Sequence, residues 1–273
     1  MNLKERVISG VVFAIIGILI LVINNPILDT IVVTLLALIG MYEYNHAFKN
    51  IGIKPISWIG YLGCLSMLFI GNDIISVENK MLIIKFLLPL VIIGVFCYII
   101  MTNLKRTIID VAVTFFSLLY VPFLLCFIKL VLLMENGRAL FVFVLIAAFV
   151  SDMAAYFVGR KFGKTKLCKD ISPKKSVEGA IAGVVAVVIT FGVVTVIFNN
   201  TLNMNMPLLL MLVAGVISSI AGQFGDLSAS AIKRYCKVKD FGKIMPGHGG
   251  ILDRFDSIMF VAPIIYLFLN IYI

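Results

Sequence analysis

Between Ser230 and Asp256 the chain gathers Lys233, Arg234, Lys237, Lys239, Lys243 and Arg254 with Asp240, Asp253 and Asp256. Residues of these types at this density suit the handling of phosphate. Arg grips phosphate oxygens with a planar fork, Lys with a mobile point charge. Gly249 and Gly250 suit a tight turn with amides open to an anion. Carboxylates suit Mg²⁺, a hard cation held by a few acids together with substrate phosphates. Asp226, Ser230, Lys233 and Arg234 follow one another at spacings of four, three and one. On a helix they share one broad face, as do Asp253 and Asp256, three apart. Asp226, Asp253 and Asp256 are therefore candidate metal ligands, set against a plainer reading as interfacial salt bridges with Arg254 and Lys243. His248 is expected to position a ligand rather than to carry protons. Lys237 and Lys243 read equally well as basic residues of a cytoplasmic loop.

A second polar stretch lies upstream. Asp152 falls about two turns inside an apolar run, a depth at which an acid is a functional candidate. Arg160, Lys161, Lys164, Lys166, Lys169, Lys174 and Lys175 follow it. Ser172-Pro173 and Ser176 each look like a helix start, offering free amides to an anion.

The elements that must position these residues are membrane helices. Of the 273 residues 62% are hydrophobic and 14% charged, with a mean hydropathy of +1.11. Soluble domains are about half apolar and a quarter charged, so the chain reads as an all-α polytopic membrane protein. Apolar runs of crossing length fall at 7–23, 27–47, 57–71, 82–101, 107–134, 139–158, 177–197, 206–224 and 256–272. The first lacks a small-residue cleavage site and is expected to be retained. The fifth, with Pro122 inside, fits one kinked span or two short segments.

Charge decides between them. Lys4, Arg6, Lys49, Lys54, Lys105 and Arg106 mark cytoplasmic segments, as does the 160–175 cluster. An even number of crossings must separate Arg106 from Arg160, and 139–158 supplies one, so 107–134 crosses once. Nine spans result, with the C-terminus outside and both polar loops together at the cytoplasmic interface. No repeat or linker marks a second domain. Residues 1–134 read as N-terminal helices and 135–273 as a C-terminal catalytic region of one integrated membrane domain.

Five scattered cysteines with no CxxC pair suggest reduced structural thiols, without a zinc site. The net charge of +9 is expected to meet anionic lipid and phosphate ligands rather than nucleic acid. Glu43, Tyr44, Asn45 and His46 end the second span and read as ordinary interfacial polar residues. Asp110 and Lys129 are orphans of the same kind, and Trp58 and Tyr61 fit an aromatic belt.

Both polar stretches resemble the phosphatidate cytidylyltransferase (CDP-diacylglycerol synthase) family. Its signature is matched by Ser230, Lys233, Arg234, Lys239, Asp240, Pro246, His248, Gly249, Gly250, Asp253, Arg254 and Asp256. The one departure is Met245, where the family more often has Leu, Ile or Phe. Asp152, Tyr156, Gly159, Arg160 and Gly163 match a second family segment, and Ser172-Pro173-Lys174-Lys175-Ser176 with Glu178-Gly179 a third. The resemblance covers about 150–260. It implies that CTP and phosphatidic acid give CDP-diacylglycerol and pyrophosphate in phospholipid biosynthesis. Asp226, Lys233, Arg234 and Asp253 would be catalytic. Asp152, Lys174, Lys175, Ser176, Ser230, Lys239, His248, Gly249, Gly250 and Arg254 would bind substrate, and Asp226, Asp253 and Asp256 would bind Mg²⁺. A second metal ion and a homodimer stay open. The expected location is the cell (inner) membrane. Rival readings are a CTP-dependent lipid kinase, a cytidylyltransferase for another lipid phosphate, and an anion transporter. Transport is disfavoured because its sites lie near the midplane in paired repeats.

Overall fold

The computed structural model describes residues 23–69, 92–101, 106–244 and 249–272. In lipid every backbone polar group needs an internal partner, which apolar sequence of this length meets by forming helices. Among the described residues six helices are long and apolar enough to cross a membrane. The first is α1 (Pro26–Lys49), opened by Asn25, whose side chain accepts from the amides of Ile27 and Leu28. Two shorter apolar helices follow, α2 (Ser57–Ser66), which tightens into a 3₁₀ turn at Met67–Phe69, and α3 (Ile92–Met101). Nearly all of the expected span at 7–23 and the first half of that at 82–101 lie outside the described residues. The expected span at 57–71 takes the form of α2 and its 3₁₀ turn.

α4 (Ile108–Leu118) runs through a π turn (Leu119–Phe123) into α5 (Leu124–Leu132), one continuous crossing. Pro122 lacks the N–H that would close an α-helical bond, so the ladder slips to the wider register and the helix goes on. Asp110 is no orphan. It forms a capping box with Thr107 and accepts from the amide of Lys54 at 2.6 Å. Lys129, also expected to be an orphan, is buried and donates to the carbonyl of Met67 at 3.0 Å.

The remaining helices are α6 (Gly137–Phe162), α7 (Val177–Leu202), α8 (Leu208–Tyr235) and α9 (Leu252–Tyr272). A hairpin of β1 (Lys166–Cys168) and β2 (Ser172–Ser176) joins α6 to α7, with Lys166 opposite Ser176. Ser172-Pro173 therefore sits in a strand rather than at a helix start. Ser176 does cap a helix, accepting from the amide of Gly179 at 3.2 Å. One apolar core runs from Val33 on α1 through Val121, Leu125, Phe143 and Met211 to Leu269 on α9. Cys64, Cys126 and Cys236 are buried and unpaired. Burial pushes the Cys236 thiol up to about 11, which leaves it a packing group.

Candidate active site

The polar segments meet at one end of the bundle. α8 runs on to Tyr235, well past the apolar run that ends at 224, and carries Asp226, Ser230, Lys233 and Arg234 on a continuous helix. The close of α1 is tied to this end twice. Asn50 donates to the carbonyl of Cys236 at 3.1 Å, and the Glu43 carboxylate accepts from the amides of Ile251 and Leu252, both at 3.0 Å. Lys54, bound to Asp110 and Arg106, lies at this end too. Among the described residues, the loops assigned to one face by charge are thus neighbours in space.

A cleft of about 620 Å³ opens under the hairpin. Asp152, Tyr156 and Arg160 line it from α6, Lys166 and Lys174–Ser176 from the hairpin, and Gln223 and Asp226 from α8. Five expected site residues, Asp152, Lys174, Lys175, Ser176 and Asp226, therefore share one cavity. Lys175 Nζ lies 2.5 Å from Asp226 Oδ2, an ion pair out of line for a hydrogen bond. It bridges the two polar stretches. Gln223 donates to the Ala180 carbonyl at 3.1 Å and to Ser151 Oγ at 3.4 Å, and Ser151 meets Ser219 at 2.9 Å. This polar layer binds α6, α7 and α8 beneath the cleft.

α8 and α9 approach closely because Gly225 has no side chain. A Cβ there would lie 2.4 Å from the carbonyl oxygen of Asp256. The charge of Asp226 consequently acts on Asp256, and that of Asp152 reaches both. Lys175 and Lys233 supply the opposing positive charge.

Asp253 has a different job. Its Oδ1 takes Lys233 Nζ at 2.6 Å, while Oδ2 accepts from the amides of Phe241 at 2.8 Å and Gly250 at 2.9 Å. Lys233 also lies over the Phe241 ring, 5.5 Å from its centroid. The pair thus clamps the loop between α8 and α9. Gly249 turns that loop at φ +85°, where a Cβ would press on Asp253 Oδ2. A Cβ on Gly250 would strike the Glu43 carboxylate at 2.4 Å.

The expected metal triad of Asp226, Asp253 and Asp256 does not converge. Among the described residues no three Asp, Glu, His or Cys side chains gather closely enough to hold a metal ion. Both Asp253 oxygens are instead engaged by the clamp. Asp226 and Asp256, two hard oxygen donors of like charge near enough to act on each other, are the part of that set that suits Mg²⁺ completed by substrate phosphates.

The other expected residues are dispersed. Ser230 is half-buried one turn beyond Asp226, and Arg254 is exposed on the first turn of α9. Arg234 is exposed, its Nε 3.5 Å from the carbonyl of Ile171 in the hairpin turn. Lys239 is exposed in the loop, and His248 lies outside the described residues. Glu43 is not the interfacial residue its position suggested. It is 1% exposed and holds the start of α9. Its signal was present, since an acid inside an apolar run is costly without a purpose. Gln223 carried no comparable mark.

This fold and site define a helical membrane protein whose cationic cleft carries the carboxylates of Asp152 and Asp226, an arrangement suited to phosphate transfer. The chain belongs to the cytidylyltransferase family, whose model matches residues 4–272. It is 32% identical over 284 residues to the phosphatidate cytidylyltransferase of Bacillus subtilis (strain 168), covering 99% of each chain. The phosphatidate cytidylyltransferase of Staphylococcus haemolyticus is 33% identical over 273 residues, covering 98% of this chain and 99% of that one. That of Thermotoga maritima is 41% identical over 156 residues, 57% of each chain.

Proposed function

We propose that this enzyme transfers the cytidylyl group of CTP to phosphatidic acid, giving CDP-diacylglycerol and pyrophosphate. The carrying observation is the Lys175–Asp226 ion pair, which joins a cationic nucleotide-sized cleft to the carboxylates of α8 and α9 in a member of this family. A phosphatidate oxygen attacks the α-phosphorus of CTP. A new P–O bond forms there as the bond to the β-phosphate breaks, and the electron pair leaves with pyrophosphate. Chemistry of this kind is mostly positioning and charge stabilisation.

Lys174 and Lys175 serve the triphosphate from the hairpin, with Arg160 and Lys166 beside them in the same lining. Arg234 is near enough to the hairpin turn to meet the same phosphates. Lys233 and Asp253 hold the loop between α8 and α9. Asp226 and Asp256 would hold Mg²⁺, which when bound would neutralise charge on the transferring and leaving phosphates. The basic residues gathered at this end of the bundle support a site facing the cytoplasm from a bacterial inner membrane, where CTP is soluble and phosphatidate is anchored. Pyrophosphate release by purified protein in detergent tests the reading. It should require CTP, phosphatidate and Mg²⁺ together. Release that ignores phosphatidate would refute it.

A further inference from the structure

Tyr120 lies on the π turn between α4 and α5, 3% exposed, and its hydroxyl has no hydrogen-bond partner. An unpartnered buried hydroxyl is destabilising, so its retention in a packed core asks for a group that pairs with it when ligand is bound. π turns recur at functional sites for the same reason, since they re-aim side chains at some loss of stability.

The surroundings say which ligand. The Tyr120 ring meets Phe260 edge-on at 6.4 Å, and Phe260 stands one turn beyond Asp256 on α9. The same Phe260 covers Gly225, next to Asp226. The hydroxyl accordingly lies within the field of Asp256, Asp253 and Asp226. On its other side the ring stacks on Phe116 at 5.8 Å. Phe116, Leu119 and Phe123 are 48%, 58% and 52% exposed, an outer face that acyl chains would cover. The nucleotide-sized cleft, by contrast, is lined by α6, the hairpin, α7 and α8, with no residue from α4 or α5. A soluble anion entering from the hairpin would leave the π-turn side, next to this outer apolar face, for a lipid-anchored one.

We infer that the Tyr120 hydroxyl donates a hydrogen bond to the phosphomonoester of the lipid substrate, which reaches the carboxylates between the π turn and α9. This rests on the cytidylyltransferase reading above.

Tyr120→Phe removes the hydroxyl and keeps the ring. Tyr44→Phe is the control. The Tyr44 hydroxyl is also buried and unpartnered, but it faces Cys236 and Tyr120 rather than the aspartates. Thermal unfolding in detergent is followed against short-chain phosphatidate and, separately, against CTP with Mg²⁺, alongside steady-state kinetics. Tyr120→Phe should be at least as stable as wild type without ligand. It should need about tenfold more phosphatidate for the same protection, with KM for phosphatidate raised in proportion and the CTP response unchanged. Unchanged phosphatidate affinity, an equal loss toward CTP, or the same loss in Tyr44→Phe would overturn the inference. Wild-type protein that forms CDP-diacylglycerol while Tyr120→Phe matches it would overturn this inference alone. Wild-type protein that neither binds phosphatidate nor turns over would overturn the underlying reading as well.

Discussion

The carboxylate of Glu43 accepts a hydrogen bond at 3.0 Å from the amide of Ile251, a residue 208 positions further along the chain. Its second oxygen does the same for Leu252. A membrane helix thereby supplies, from its own interior, the acid that satisfies the opening amides of α9 and suits the positive end of that helix dipole. α9 carries Asp253 in its first turn and Asp256 just beyond it, so the Glu43 contact anchors the stretch of helix that presents both.

Glu43→Gln keeps the shape but replaces one acceptor with an N–H that confronts a backbone N–H. Loss of a charge-assisted bond with an amide left unsatisfied costs about 1–3 kcal/mol. The variant should unfold at a lower temperature in detergent and turn over more slowly. An unchanged unfolding temperature would mean that Glu43 does not cap α9.

The aspartates should separate by phenotype. Asp226→Asn and Asp256→Asn each remove one of two like charges that act on each other, which for Asp226 offsets the loss of its partly exposed pair with Lys175. Stability should therefore change little while turnover falls at least about 100-fold and the Mg²⁺ requirement increases. Asp253→Asn strips the charge that faces Lys233 and weakens the acceptor for Phe241 and Gly250. It should lose comparable activity together with thermal stability, and extra Mg²⁺ should restore neither. Rescue of Asp253→Asn by Mg²⁺ would return Asp253 to the metal ligands.

What the sequence revealed followed its range of interaction. The 230–256 motif was legible because its residues are close in the chain and helical spacing groups them. The six long spans were legible because the bilayer demands a length that hydropathy reports. Ser172-Pro173 misled because Ser-Pro opens helices and extended segments alike, and pairing with Lys166–Cys168 made it a strand. Glu43, Asn50 and Tyr120 join the site through contacts with residues far along the chain, which no local pattern encodes. Asp253 and Asp256 were correctly placed on one helix. Only the loop amides that bind Asp253 set it apart from Asp256.

The basic residues at the end of α8 should also divide. Lys237 is exposed and adopts φ +56°, the left-handed conformation that ends a helix and favours glycine. Lys237→Gly should therefore stabilise the protein by up to about 1 kcal/mol and leave turnover within a few-fold. Arg234→Lys retains charge but not the planar fork, and should lose most of the rate if the triphosphate reaches from the hairpin to α8. Equal damage from both substitutions would show that the cluster acts as a diffuse positive field.

The fate of each CTP phosphate tests the central claim most directly. Purified protein is given phosphatidate and Mg²⁺ with CTP labelled at either the α- or the γ-phosphorus, and the lipid is extracted. The account predicts that α-label enters the lipid fraction one-for-one with pyrophosphate, while γ-label stays in the aqueous phase. Label from the γ-position in the lipid would identify a CTP-dependent lipid kinase, and the assignment of the Asp226 and Asp256 site to cytidylyl transfer would be wrong.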